Sequence, residues 1–389
     1  MSRDLKLVVG SMLTWGLGEG IFYIFQPLYM QQLGADPILI GTILGINGLV
    51  MALVQIPAGY LADKVGTRPM IRLSWIIGVI AAWTMALAPS LGVFVAGLLL
   101  YGLTSSVMAP LNAYVQGARG KWSVGRAVSF TSAAYNFGGI IGPIIGGVVG
   151  EAFHLRSAYY LAGAIFTIST FIIMFANKQE AAHLSPVEGE AHLFKNKRFL
   201  GMLILIFLVM FAVTLPQPLA ANYLQNQRGL SLSRIGQLGS LAAFGSVILM
   251  LAFGHLNSGI AMLIGQAGLM IFSILLWRGN GLLLYGIGYL FLGGFKLCRA
   301  MTIAMVQPIV RAREVGLAFG VVESLNALAF MVAPLLAGFL YNWQPFSIFP
   351  TGLGVLGVSF ILNVGFVVKN RKSNRKVEET LSMELQDEA

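Results

Sequence analysis

Charge interrupts this chain so rarely that water cannot be its main solvent. Twelve apolar segments, at about 7–31, 38–61, 71–89, 92–117, 126–150, 157–177, 199–226, 233–254, 259–277, 281–308, 315–340 and 346–368, are each long enough to cross a bilayer as a helix, which takes roughly 20 residues. Charged residues make up 10% of the chain and hydrophobic residues 57%, whereas a soluble domain carries about 25% charged residues. There is too little polar surface to clothe a core, so the outside faces lipid. In lipid every backbone polar group must be satisfied within the protein, and single segments of this length do so as helices. The expected fold class is all-α, an integral membrane protein with twelve transmembrane helices.

One long polar stretch, from Lys178 to Arg198, falls at mid-chain after the sixth segment. It implies a six-helix half at 1–177, a cytoplasmic central loop at 178–198, a second six-helix half at 199–368 and a charged cytoplasmic tail at 369–389, the tail expected without fixed structure. The first apolar segment runs on to about Tyr29, so it reads as a retained helix rather than a cleaved leader. Of the 25 Lys and Arg residues, Arg156, Arg228, Arg234 and Arg278 fall on one side of the membrane and Lys296 and Arg299 lie within a segment. The remaining 19 fall on the other side. Basic residues accumulate in cytoplasmic loops, which predicts that both termini are cytoplasmic. The short loops and tails suggest a prokaryotic plasma (inner) membrane.

The same rule accounts for the formal charge of +10 without invoking nucleic acid. The single cysteine, Cys298, excludes an intrachain disulfide framework or a Cys-rich metal site. His154, His183, His192 and His255 lie in loops or at segment ends, and no phosphate-binding glycine loop of the Walker type occurs. Nothing here assembles an enzyme's reactive constellation, a cofactor site or ATP drive, and the tail is too short for a sensor's signalling domain.

The halves repeat. Val124-Gly125-Arg126-Ala127 matches Val315-Gly316-Leu317-Ala318 at an offset of 191, and Gly142-Pro143 through Gly146-Gly147 matches Ala333-Pro334 through Ala337-Gly338 in the same register. Gln26-Pro27 matches Gln217-Pro218 at 191, while Gly34, Gly41 and Gly59 match Gly229, Gly236 and Gly254 at 195. Two six-span halves that start on the same side are parallel repeats, an architecture that places a substrate site near the midplane between them.

The loop after the second segment reads Gly59-Tyr-Leu61-Ala-Asp63-Lys64-Val-Gly66-Thr67-Arg68. It resembles the signature loop of the major facilitator superfamily, G-x-L-a-D-[RK]-x-G-[RK]-[RK], with Thr67 departing at one basic position. The resemblance covers the whole chain and implies two pseudo-symmetric six-helix bundles; that architecture is self-contained, so a monomer is the default expectation. It also implies that Gly59, Asp63, Lys64, Gly66 and Arg68 form a conformational latch, with Asp63 engaging the cytoplasmic end of span eleven. The second-half counterpart, Gly254 to Gly259, has lost the acid.

Span five carries Gly138, Gly142, Pro143, Gly146 and Gly147, which resembles the core of the antiporter motif of drug-efflux members. The upstream glycine of the longer motif is replaced by Phe130, and span four lacks the arginine found in many proton-coupled exporters. If protons are coupled, another residue must carry them. The same string also reads as a small-residue face for close helix packing.

A charge inside the membrane is costly and marks a functional candidate. Four occur: Glu19 in span one, Lys296 and Arg299 in span ten, and Glu323 in span eleven. Counted from the basic side, Glu19 and Lys296 lie roughly 18 Å deep, and Arg299 and Glu323 roughly 13 Å. The resemblance implies that spans one, four, seven and ten line the cavity. Glu19 is then a protonatable coupling or cation site, Lys296 and Arg299 tune it or bind an anion, and Glu323 neutralises Arg299. The competing reading is a set of buried pairs that only fix packing. Gln26, Asn112, Gln116 and Gln217 are weaker candidates, able to hydrogen-bond a substrate or a neighbouring helix. The aromatics Trp15, Phe22, Tyr23 and Phe25 can line the pocket but at such spacing more often pack helix on helix.

Two transport readings follow for a small-molecule substrate. One is proton-driven efflux of a small hydrophobic or amphipathic compound; the other is uptake or facilitated passage of a small anion held by Lys296 and Arg299. The half-motif in span five favours the first, and the cationic span ten favours the second.

Overall fold

The computed structural model describes residues 1–177, 197–310 and 315–387, and every regular element among them is helical. In the first bundle α1 (Arg3–Tyr23) and α2 (Gln26–Gln32) form one span bent by 44°. Next come α3 (Pro37–Val65), α4 (Thr67–Leu87), a second bent span made of α5 (Leu91–Leu103) and α6 (Met108–Ala118), then α7 (Val124–Ala152) and α8 (Leu155–Met174). The second bundle opens with the broken span α9 (Lys197–Thr214) and α10 (Ala220–Arg228), then α11 (Leu232–Phe253) and α12 (Ser258–Arg278). Its tenth span is α13 (Leu282–Leu292) with α14 (Gly294–Val306), followed by α15 (Val315–Trp343) and α16 (Ile348–Asp387).

Spans one, four, seven and ten are the interrupted ones, and their sequences say why. Pro27, Pro110 and the pair Pro216 and Pro218 each remove a backbone donor at or beside the first three breaks, and the tenth span breaks at Gly293-Gly294. The repeat is carried into structure: α7 and α15 are both 29 residues long, start at Val124 and Val315, and hold Pro143 and Pro334 at matching positions. Gly66, at φ 87°, makes the turn between α3 and α4 that no residue with a Cβ adopts readily.

The charged tail departs from expectation. Rather than losing structure after Val368, α16 continues to Asp387. The stretch beyond Gly365 contains neither Gly nor Pro and is rich in Lys, Arg, Glu and Leu, all good helix formers. The polar mid-chain segment 178–196, with Lys178, His183, His192 and Lys195, lies outside the described residues, as do Arg311 and Arg313.

Within the first bundle α7 and α8 pack on α1, and α4 packs on α5 and α8. Gly138, Gly142 and Gly146 face the backbone of Leu13 to Ile21 on α1, an approach that only small residues permit. The equivalent stripe on α15, Ala329, Ala333 and Ala337, is fully buried, and α15 packs on α9. One face of the molecule gathers the chain's start: Ser2 Oγ donates to the Ala118 carbonyl, Asp4 accepts from Asn177, and an Arg72 guanidinium nitrogen donates to the Met174 carbonyl. We call it the basic face.

The two bundles meet along two seams, α3 against α15 and α7 against α11. Gly338 lies against Pro37, Ile38 and Gly41, and Gly147 lies against Leu232 and Ser233. Gly45 and Gly48 contact the Met331 and Phe330 backbone, and Gly236 contacts the Pro143 carbonyl. All these approaches lie between mid-membrane and the face opposite the basic one. There the seal is completed by side chains: Asn222 Nδ2 donates to Gln31 Oε1 at 2.6 Å and to the Pro27 carbonyl at 3.3 Å, and Glu151 Oε2 accepts from the Ser233 amide at 2.7 Å. The bundles are therefore closed together at the opposite face, and the space between them opens toward the basic face.

Candidate functional site

The four intramembrane charges converge on the closed end of that space. Gly16 on α1 lets the Tyr135 backbone of α7 approach directly, and Gly20 does the same for Gly139 and Gly142. Tyr135 is thereby held where its hydroxyl donates to Glu19 Oε2 at 2.9 Å. Tyr101 of α5 and Trp15 approach the same carboxyl. Glu19 keeps part of its surface open, and Tyr23, one turn further along α1, is 60% exposed.

The second bundle presents its cations from α14. Arg299 pairs with Glu323 of α15 at 3.4 Å and lies over the Phe330 ring at 5.3 Å. Asn326 and Thr302 extend this cluster, with Asn326 Nδ2 reaching both Glu323 Oε1 and Thr302 Oγ1 at 3.5 Å. Lys296 instead reaches across to the first bundle, where its Nζ donates to Asn136 Oδ1 at 3.2 Å. Among the described residues Lys296 has no carboxylate within ion-pair distance, though it lies in electrostatic range of Glu19. The site thus offers an accessible carboxyl, an ammonium with spare donors and an occupied guanidinium. That combination can exchange a proton and hold a charged or polar solute.

Other candidates fall elsewhere. Asn112 and Gln116 are exposed on α6, toward the basic face from the charges. Gln26 does not line the open space: it is 4% exposed beneath the closed face, and its Nε2 has no partner among the described residues. The break after α1 turns it inward. Gln217 donates to the Val213 carbonyl of its own span, filling the gap left where α9 ends. Gly138, Gly142 and Gly146 serve α1 packing, while Pro143 and Gly147 serve the seam. In the signature loop Lys64 ends α3 and Gly66 makes its turn, and Arg68 lies in the first turn of α4 near Arg72 and Tyr114. The backbone of Gly59 and Asp63 belongs to α3, but their surroundings, like residues 311–314, lie outside what is described.

Trp15, Phe22 and Phe25 take the packing alternative: Trp15 lies 4.8 Å from Trp75 and 4.5 Å from Phe166, Phe22 lies 5.4 Å from Tyr159, and Phe25 is fully buried. Glu19 and Tyr23 lie beside the face of Trp15 and Phe22, so Trp15 packs among aromatics and still approaches the Glu19 carboxyl. Sequence reasoning missed Tyr135 and Asn136. The signal that could have found them is their place one turn before Gly138, on a helix whose glycines bring it against Glu19's own helix.

Comparison with known proteins places this geometry. The family model described as Major Facilitator Superfamily matches residues 7–295 and 202–383. The chain is 24% identical to the inner membrane transport protein YajR of Escherichia coli, covering 87% of this chain and 79% of that protein. It is 23% identical to the quinolone resistance protein NorA of Staphylococcus aureus, covering 88% and 91%, and 22% identical to the class B tetracycline resistance protein of Escherichia coli, covering 97% and 99%. Among solved structures, a variant of the nucleoside transporter NupG superposes with a TM-score of 0.83 at 14% identity, covering 93% of this chain and 99% of that one.

Proposed function

Because this chain belongs to the major facilitator superfamily, we propose that it exports a small hydrophobic or amphipathic compound in exchange for protons, by alternating access between its two bundles. Glu19 is the proton-carrying group. The observation that carries this reading is the Glu19 carboxyl, held by Tyr135 at the closed end of an opening between the bundles. A titratable group there meets one side of the membrane at a time. Taking the basic face as cytoplasmic, the structure is the inward-open state, ready to take a compound from the cell. The relatives named for quinolone and tetracycline resistance support the direction, and so does the glycine stripe of α7.

The test is proton movement in proteoliposomes with an acidic lumen, on addition of lipophilic fluorescent compounds. The native chain releases protons in a compound-dependent way, and Glu19→Gln does not. Compound-dependent proton movement that persists in Glu19→Gln would remove Glu19 from the coupling step.

Lys296 favours a second reading. An ammonium that holds only a neutral amide can take an anionic group from a solute, which suits uptake. The direction of pH-dependent flux separates the two.

A further inference from the structure

Tyr135 and Asn136 are neighbours on α7 but face different bundles. Successive helix residues diverge by about 100°, so Tyr135 meets Glu19 of its own bundle while Asn136 meets Lys296 of the other. Asn136 is also oriented. Its Nδ2 donates to the Ser132 carbonyl one turn back at 2.9 Å, which leaves Oδ1 to face Lys296. The bond to Lys296 lies at the end of the region where the bundles touch, and α7 itself continues into the seam through Pro143 and Gly147.

From this we infer that Asn136 is a positioning residue for Lys296, and that their hydrogen bond is a tether between the bundles which holds this conformation and must be released in each cycle. Lys296 holds one acceptor in the first bundle, the Asn136 amide, and lies in electrostatic range of a second group there, the Glu19 carboxyl. The other charged group in range of Lys296 is Arg299, which is engaged by Glu323, while Tyr23 and Tyr135 face Glu19. While Lys296 sits on Asn136, Glu19 is left to Tyr135. When Lys296 turns to Glu19 the Asn136 bond is lost, but Glu19 also belongs to the first bundle, so full release further requires protonation of Glu19. The release step rests on reading Glu19 as the proton site; the tether stands on the contacts alone.

Spin labels on the full chain in lipid nanodiscs test this. Cysteines placed at Gln116 on α6 and Gly320 on α15 report the separation of the bundles near the basic face. Both positions are exposed, Gly320 has nothing within 4 Å of an added Cβ, and native Cys298 is fully buried and silent. A partly exposed hydrogen bond to a charged group is worth about 1 kcal/mol, or about fivefold in the ratio of separated to closed populations. Asn136→Leu lowers that ratio about fivefold, and Asn136→Asp, which offers a carboxylate, raises it by a similar factor. Should Asn136→Leu fail to fold, Lys296→Met gives the same decrease. Distances unchanged in Asn136→Asp and in either tether-breaking variant would overturn the inference. If Glu19→Gln retains proton coupling while the Asn136 variants still shift the ratio, the export reading fails and the tether stands. Lost coupling with an unshifted ratio leaves the export reading and removes the tether.

Discussion

A methyl group added at Gly338 or Gly147 should change the balance of conformations rather than unfold the protein. At Gly338 a Cβ would lie 2.6 Å from the Pro37 carbonyl oxygen and 3.2 Å from the Ile38 Cα; at Gly147 it would lie 2.6 Å from the Leu232 carbonyl oxygen and 3.0 Å from the Ser233 Cα. All four atoms are backbone of the opposing bundle, so no side chain can swing aside. Reaching ordinary carbon contact requires a retreat of about 0.8 Å or more. Overpacking of this kind costs about 1–3 kcal/mol, and the cost disappears once the seam opens. The population open at the opposite face should therefore rise about 5- to 150-fold in Gly338→Ala or Gly147→Ala. Spin labels at Gln32 and Gln227, exposed near that face on opposite bundles, report it as a longer distance. Gly142→Ala is the control. Its Cβ would lie 2.5 Å from the Leu17 carbonyl oxygen and 2.7 Å from the Gly20 Cα, inside one bundle, where no step of the cycle relieves it. That variant should lose thermal stability and keep the native distance. Equal losses of stability in all three variants, with no change in distance, would show that the seams never open.

Two further outcomes follow from other contacts. Asn222→Ala removes both donations that join α10 to Pro27 and Gln31; at about 1–2 kcal/mol, it should speed maleimide labelling of a cysteine placed at the buried Gln26 roughly tenfold from the opposite face. Glu323→Gln should shift the melting midpoint by no more than a few degrees, because the Arg299–Glu323 pair is 45% and 39% exposed and such pairs contribute about 1 kcal/mol or less; a large loss would mean that the pair is a packing element.

The helical architecture was legible because lipid leaves so few solutions. A chain with 10% charge must span as helices, and Gly147 and Gly338 announced their equivalence through the 191-residue repeat. Glu19, Lys296, Arg299 and Glu323 were legible for a related reason: each is expensive in its segment, so each needs an explanation. Tyr135 and Asn136 carried no such mark, since uncharged polar residues recur on many spans. Their role depends on which way α7 is turned, and that is set by glycine contacts with α1 that sequence spacing alone does not rank. Trp15 and Phe22 were only half legible for a different reason: aromatic residues suit a binding pocket as well as a helix interface, and the neighbours that decide between them come from other spans. The broken spans were marked by Pro27, Pro110 and Pro218, yet a proline does not say whether a span kinks or splits. The tail helix was obscured by charge, which argues against burial but not against helix.

The two bundles share a plan but differ in which helices touch backbone to backbone. Where α7 sets Gly138, Gly142 and Gly146 directly against the α1 backbone, α15 carries buried alanines at the equivalent positions, Ala329, Ala333 and Ala337. Contact of backbone with backbone has no rotamers to exchange and little slack. Contact through methyl groups leaves room for sliding by fractions of an ångström. The second bundle's own backbone-on-backbone contacts lie elsewhere, where Gly245 meets Leu290 and Gly265 meets Gly294, so the helix held without slack there is the span that carries Lys296 and Arg299, not the counterpart of the first span.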